Sequence, residues 1–251
     1  MAETIWIIGA SAGIGKALSE KLTSQGYKLA LSARTKKTLD KLKDDLDSNN
    51  VEVFSCDVID VESLKKSYDL IKSKFGHIDK MIFAAGVYQP MPLKVFDLND
   101  ANKTIDINLK GAFNAFSIIR EDAFSHDAMH LVWIASVAGY RGLPNSAAYG
   151  VSKAGLISFA EMQRSELESH NTKVQVVNPG FVKTRLTKKN AFKMPMLISP
   201  EQAADYILKG MQKNKFDISF PPLFALIMKA LRIMPDYLFF ACLRKLVKED
   251  V

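Results

Sequence analysis

Glycines stand at positions 9, 13 and 15, directly after the apolar run Ile5 to Ile8 and directly before a helical pattern carried by Leu18 and Leu22. A strand that turns at once into a helix through Gly9-Ala10-Ser11-Ala12-Gly13-Ile14-Gly15 needs residues without a Cβ, because the backbone must bend tightly. The same turn leaves the first N–H groups of the helix without intrahelical partners, aimed at whatever lies beyond the strand. Gly9, Ser11, Ala12, Gly13, Ile14 and Gly15 are therefore candidate phosphate contacts. The spacing is GxxxGxG, and by itself it also fits a ligand-free βα turn.

The rest of the chain repeats the rhythm. Strand-length apolar runs follow at residues 28–32, 51–56, 81–84, 130–135, 173–177 and 217–220, separated by helical patterns such as Leu64 to Phe75. Strands alternating with helices predict an α/β fold, a doubly wound parallel sheet covered on both faces. No internal repeat or Gly/Ser linker divides the chain before about residue 185, and 1–220 reads as one dinucleotide-binding domain, 221–251 as an apolar, basic helical tail. Residues 187–198 show no clean period. Ser199-Pro200-Glu201-Gln202 then supplies an N-cap, a first-turn proline and a capping-box Gln for the next helix.

Composition narrows the class. With 48% hydrophobic residues in 251, the chain can bury a full core, and its net charge of +7 is spread in short clusters. That excludes a disordered polymer and gives no recognition motif for nucleic acid. Cys56 and Cys242 make no CxxC pair and read as small buried hydrophobes. With no leader-like start, a cytoplasmic home is the expectation. His77, His126, His130 and His170 form no ligand cluster, so surface or capping roles are expected and no metal.

About twenty residues after the glycine turn, where a dinucleotide fold reads the ribose, the second strand ends in Ala33-Arg34 with no acid, followed by Lys36 and Lys37. Arg34 can fork onto a 2′-phosphate, so NADP fits better than NAD. A second constellation is Tyr149-Gly150-Val151-Ser152-Lys153. On a helix Tyr149 and Lys153 share a face one turn apart, close enough for the ammonium to lower the phenol pKa. Ser136 closes the run Leu131 to Ala135, which places its hydroxyl at the carboxyl end of a strand, where ligands bind in such sheets.

Taken together, Gly9-x-x-x-Gly13-x-Gly15, Asp57-Val58, Ala85-Gly86, Asn108, Ser136, Tyr149-x-x-x-Lys153 and Asn178-Pro179-Gly180 with Thr184 resemble the short-chain dehydrogenase/reductase family from Ile5 to about Thr184. The resemblance implies NAD(P)-dependent hydride transfer between an alcohol and a carbonyl. By it, Asp57 and Val58 would hold the adenine, and Ala85 and Gly86 would flank the cofactor. Lys153 would bind the nicotinamide ribose, and Pro179, Gly180, Val182 and Thr184 would frame the nicotinamide. Tyr149 would be the proton donor, Ser136 would hold the carbonyl oxygen, and Asn108 would support a water-linked proton path through Lys153. Two departures stand out. Ile8 replaces the usual Thr and Phe83-Ala84 the usual Asn-Asn, which removes polar braces from the turn and the sheet.

The implied activity is an NADP-dependent oxidoreductase for an apolar carbonyl or secondary alcohol, with residues 185–198 as substrate loop. The alternative is an NADP(H)-binding sensor or scaffold. Helices from about Ala112 and from Gly150 resemble those through which the family forms dimers or tetramers. The tail, with Leu223, Phe224, Ile227, Leu231, Met234, Leu238 and Phe239, has three possible covers: its own domain, a second subunit, or a lipid interface along residues 221–248.

Overall fold

A computed structural model describes residues 2–249, apart from 126, 127, 191 and 193, with backbone alone for 245–249. His126 thus lies outside the described residues. Seven parallel strands form one sheet in the order β3-β2-β1-β4-β5-β6-β7: β1 Thr4–Ile8, β2 Lys28–Ser32, β3 Val51–Val53, β4 Lys80–Phe83, β5 His130–Ile134, β6 Lys173–Pro179 and β7 Asp217–Phe220. The helices are α1 Gly13–Ser24, α2 Lys36–Leu46, α3 Val61–Phe75, α4 Leu98–Ile105, α5 Gly111–Phe124, α6 Ala147–Glu166, α7 Pro200–Met211, α8 Pro222–Ile233 and α9 Asp236–Glu249.

Every residue of β1 is buried, as a strand covered on both faces requires. Its side chains alternate between two cores. Ile5 and Ile7 pack with Leu18, Leu22 and Ile207 beneath α1 and α7, whereas Trp6 and Ile8 pack with Phe83, Trp133 and Leu156 on the side of α6. Strand order reverses between β1 and β4, so the sheet's crevice opens at the carboxyl ends of those two strands.

Two expected boundaries shift by two residues or more. The third strand ends at Val53 rather than residue 56, although the N–H groups of Phe54 and Cys56 still bond to the carbonyls of Leu31 and Ala33. The sixth strand runs on to Pro179 because β7 pairs with its end. The capping box at Ser199 and Gln202 forms as the sequence indicates.

The tail folds into α8 and α9, and one side of it packs on its own domain. Ala225, Met228 and Phe239 are buried, the Phe224 ring lies 5.4 Å from that of Phe181, and the Arg141 guanidinium sits 3.9 Å from the Phe239 ring centre. Arg141 also bonds to Leu231 O at 3.1 Å and pairs with Asp236. Among the described residues no helix is long and apolar enough to cross a membrane.

Two single-residue expectations fail. Cys56 is buried, but Cys242 on α9 is exposed. His130 is neither a surface nor a capping residue. It starts a central strand, and its Nε2 meets Gln175 Oε1 at 2.8 Å. Burial, with Lys173 and Lys80 adding repulsion, pushes its pKa down to about 3.

Candidate active site

At the carboxyl edge of the sheet lies a cleft of about 1000 Å³. Its nucleotide end is built by the glycine turn. Gly9 and Gly13 adopt φ of +96° and +58°, and a Cβ on Gly9 would stand 2.5 Å from Ala85 N, one on Gly15 2.2 Å from Gly9 O. Only glycine allows that approach. Ala12, the residue before α1, supplies no side-chain cap, so the leading N–H groups of the helix remain available to an anion.

The missing polar braces have substitutes. Ser32 O accepts both Gly9 N–H, at 2.7 Å, and Ala10 N–H, at 3.0 Å, while Ser32 Oγ accepts the Trp6 indole N–H at 2.9 Å. Ala84 N–H bonds Ile8 O at 2.7 Å, and the Phe83 ring packs on Trp133 at 5.7 Å. Backbone bonds and aromatic packing thus hold the turn and the β1–β4 seam.

Along the wall, Arg34 leaves the end of β2 exposed and without an acidic partner among the described residues. Asp57 Oδ1 accepts its own turn's Ile59 N–H at 3.2 Å, which orients the carboxylate beside Val58. Gly9, Ser11, Ala12, Gly13, Ile14, Gly15, Arg34, Asp57, Val58, Ala85, Gly86, Ser136, Tyr149, Lys153, Pro179, Gly180, Val182 and Thr184 all line the cleft. Of the candidate catalytic and cofactor-binding residues, the structure brings all but one to the cleft wall.

The exception is Asn108. It is fully buried in a π-helical turn, Asp106–Lys110, directly behind the cleft wall at Gly86, where a Cβ would stand 3.4 Å from Asn108 Oδ1. Its Oδ1 accepts Val87 N–H at 2.8 Å, and its Nδ2 donates to Val87 O at 3.0 Å and Ser152 Oγ at 3.0 Å. The side-chain amide thus clamps the segment after β4 to α6.

Ser136, Tyr149 and Lys153 converge. Ser136 Oγ accepts Ala138 N–H at 3.1 Å, which fixes its rotamer at the end of β5. Tyr149 and Lys153 lie on α6, with Lys153 Nζ 5.8 Å from the Tyr149 ring centre and donating to Ile134 O at 2.8 Å. The expected lowering of the phenol pKa does not occur. Burial pushes Tyr149 up to about 12, with the neighbouring Tyr88 phenol adding to it and the Ser136 hydroxyl opposing it. Burial likewise pushes Lys153 down to about 8. At neutral pH Tyr149 therefore holds its proton and Lys153 its charge.

The other end of the cleft is only partly legible in the sequence. Tyr88 packs edge-on against Tyr149 with centroids 4.9 Å apart, and its hydroxyl donates to Asn190 Oδ1 at 2.8 Å. Leu143, Phe181, Phe192, Phe224 and Met228 complete an apolar wall, with Phe181 5.8 Å from Phe192. The substrate-loop expectation gave Phe192, but Tyr88, Leu143 and Phe181 carry no local signal. No group of metal-ligating side chains exists among the described residues.

Comparison with known proteins supplies the family. Residues 3–194 match the family model for short chain dehydrogenase. An uncharacterized oxidoreductase of Myxococcus xanthus is 31% identical over 245 residues, 97% of each chain. A 3-oxoacyl-(acyl-carrier-protein) reductase, FabG, of Thermotoga maritima is 28% identical over 212 residues, 84% of this chain and 82% of its own. The fold also matches a short chain dehydrogenase from Burkholderia cenocepacia, crystallised in complex with NADP, with a TM-score of 0.84 at 22% identity over 96% of this chain and 97% of that one. By this match and by the site it builds, the chain belongs to the short-chain dehydrogenase/reductase family of oxidoreductases.

Proposed function

We propose that this protein is an NADPH-dependent reductase of apolar carbonyl compounds. The observation that carries the reading is Tyr149, protonated at neutral pH and placed between a nucleotide-shaped cleft end and an aromatic wall. The residues present fit the cofactor. The uncapped start of α1 suits a pyrophosphate, and the unpartnered Arg34 suits a 2′-phosphate, the group that separates NADP from NAD. The NADP complex of the Burkholderia relative supports the same choice.

When bound, NADPH supplies the hydride that adds to the carbonyl carbon. Tyr149 gives its proton to the carbonyl oxygen, and the product is a secondary alcohol. Ser136 Oγ hydrogen-bonds that oxygen and holds it within reach of the phenol. Lys153, charged below about pH 8, stabilises the phenolate as the proton leaves. Asn108 holds Val87 and Ser152, and through them the floor under Lys153. Exposed Phe113, Val151 and Met162 on α5 and α6 support the homo-oligomer that the family resemblance implies.

The test is a pH profile. Reduction at saturating NADPH stays level up to about pH 8 and declines above it, because losing the Lys153 charge raises the cost of forming the phenolate. A rate that climbs above that pH would contradict the assignment.

A further inference from the structure

We propose that the outer face of α8, with the turn into α9, docks this protein on an anionic bilayer surface. Helix α8 is apolar on both sides. Its inner side carries Phe224, Ala225 and Met228, of which Phe224 and Met228 line the cleft. Leu223, Leu226, Ile227, Ala230 and Ile233 recur at three- and four-residue spacing on the other side and are all exposed, Leu226 at 65% and Ile233 at 85%. Beyond the turn, Tyr237 and Phe240 extend the same exposure. A helix that needed only its own domain would carry polar residues there.

Charge decides among the possible covers. The other segment at this end of the cleft, residues 181–198, contains no acid, and Lys183, Arg185 and Lys188 stand exposed without acidic partners among the described residues. The only acid in residues 221–244 is Asp236, already held by Arg141. Lys229 and Arg232 flank the apolar row, half exposed, anchored to Asp217 at 2.6 Å and Glu161 at 3.5 Å. A second copy docked through this face would offer Lys183, Arg185 and Lys188 no acid from residues 181–198 or 221–235 to pair with. Lipid headgroups supply both what the apolar row and what the cations lack: an apolar layer beneath a negative plane. Aromatic Tyr237 and Phe240 suit the headgroup level.

Docked in this way, the apolar end of the cleft lies against the membrane, separated from it by one helix. Delivery of an apolar carbonyl by that route rests on the reductase reading above; the docking itself does not.

The experiment is cosedimentation of the full-length protein with phosphatidylcholine vesicles, with and without phosphatidylglycerol, across a salt series. The variant carries Leu226→Ser and Ile233→Ser, both outside the core and the cleft. The protein is expected to bind the anionic vesicles, to bind neutral ones about tenfold more weakly, and to release as salt rises. The double variant loses at least about a hundredfold in vesicle affinity, as removal of two inserted aliphatic side chains requires. Its NADPH affinity and its turnover of a short soluble carbonyl stay unchanged, so failure of docking and failure of the reductase reading are separable. No binding to anionic vesicles at low salt overturns the proposal. So does equal binding by the double variant, or a vesicle-free assembly that the double variant dissociates, which would assign the face to a second copy.

Discussion

The two ends of the cleft are built at different distances along the chain. The nucleotide end comes from short strand-to-helix turns, each within a few residues: Gly9 to Gly15, Arg34, Asp57-Val58, Ala85-Gly86. The far end joins Tyr88, Leu143, Phe181, Phe192, Phe224 and Met228, which lie on separate loops and on α8. Backbone geometry dictates residue type at the first end, where a Cβ on Gly15 would collide with Gly9 O at 2.2 Å. At the second only bulk and apolarity matter, so many sequences would serve. One end is fixed by shared chemistry, and the other is free to choose a substrate.

The chemistry sits where the ends meet, and its removal has the largest effect. Tyr149→Phe should lower turnover by about a thousandfold or more, the scale of a lost positioned proton donor. NADPH affinity, measured by fluorescence titration, should change little. If affinity and turnover fall together, Tyr149 belongs to the nucleotide end alone.

Arg34→Ala sharpens the contrast from the nucleotide side. Losing a charge-assisted fork to a 2′-phosphate should cut the NADPH-over-NADH preference by about thirtyfold to a hundredfold. Carbonyl specificity should be untouched. An unchanged preference would place the phosphate elsewhere.

The sheet that carries both ends gives the next effect. His130 has a folded pKa near 3 against 6.5 in the open chain, so the unfolded state binds the proton more readily. Stability is complete above about pH 6.5 and is lost as pH falls toward 3, by about 2 kcal/mol between pH 7 and pH 5. Urea midpoints across that range check it, and His130→Gln should flatten the dependence. A wild-type midpoint that does not move would show that His130 charges without cost.

The smallest effect belongs to the far wall. Phe224→Ala should raise KM for bulky carbonyls by about tenfold, as lost apolar contact predicts, while leaving short ones and NADPH alone. An equal change for both substrates would mean that Phe224 supports the fold instead.

The same division explains what could be read in advance. Glycine spacing, the Tyr149–Lys153 helix turn and the end of β5 at Ser136 are local signals, and the structure places each at the cleft. What the Asn108 amide bonds to is not legible from its position, because Val87 and Ser152 are distant in the chain. One neighbour, Lys153, points the Tyr149 pKa down, but burial, which the local spacing does not show, pushes it up. Tyr88 escaped notice because its partners Tyr149 and Asn190 are far along the chain. Cys242 looked buried because α9 is apolar on more sides than its domain covers.

The most direct test of the account follows NADPH oxidation by the purified protein over carbonyls graded from short polar ketones to long-chain and polycyclic ones. The account predicts kcat/KM that rises with apolar size, beside the near-inactive Tyr149→Phe protein. Tight NADPH binding with no turnover of any carbonyl, or turnover that survives in Tyr149→Phe, would contradict it.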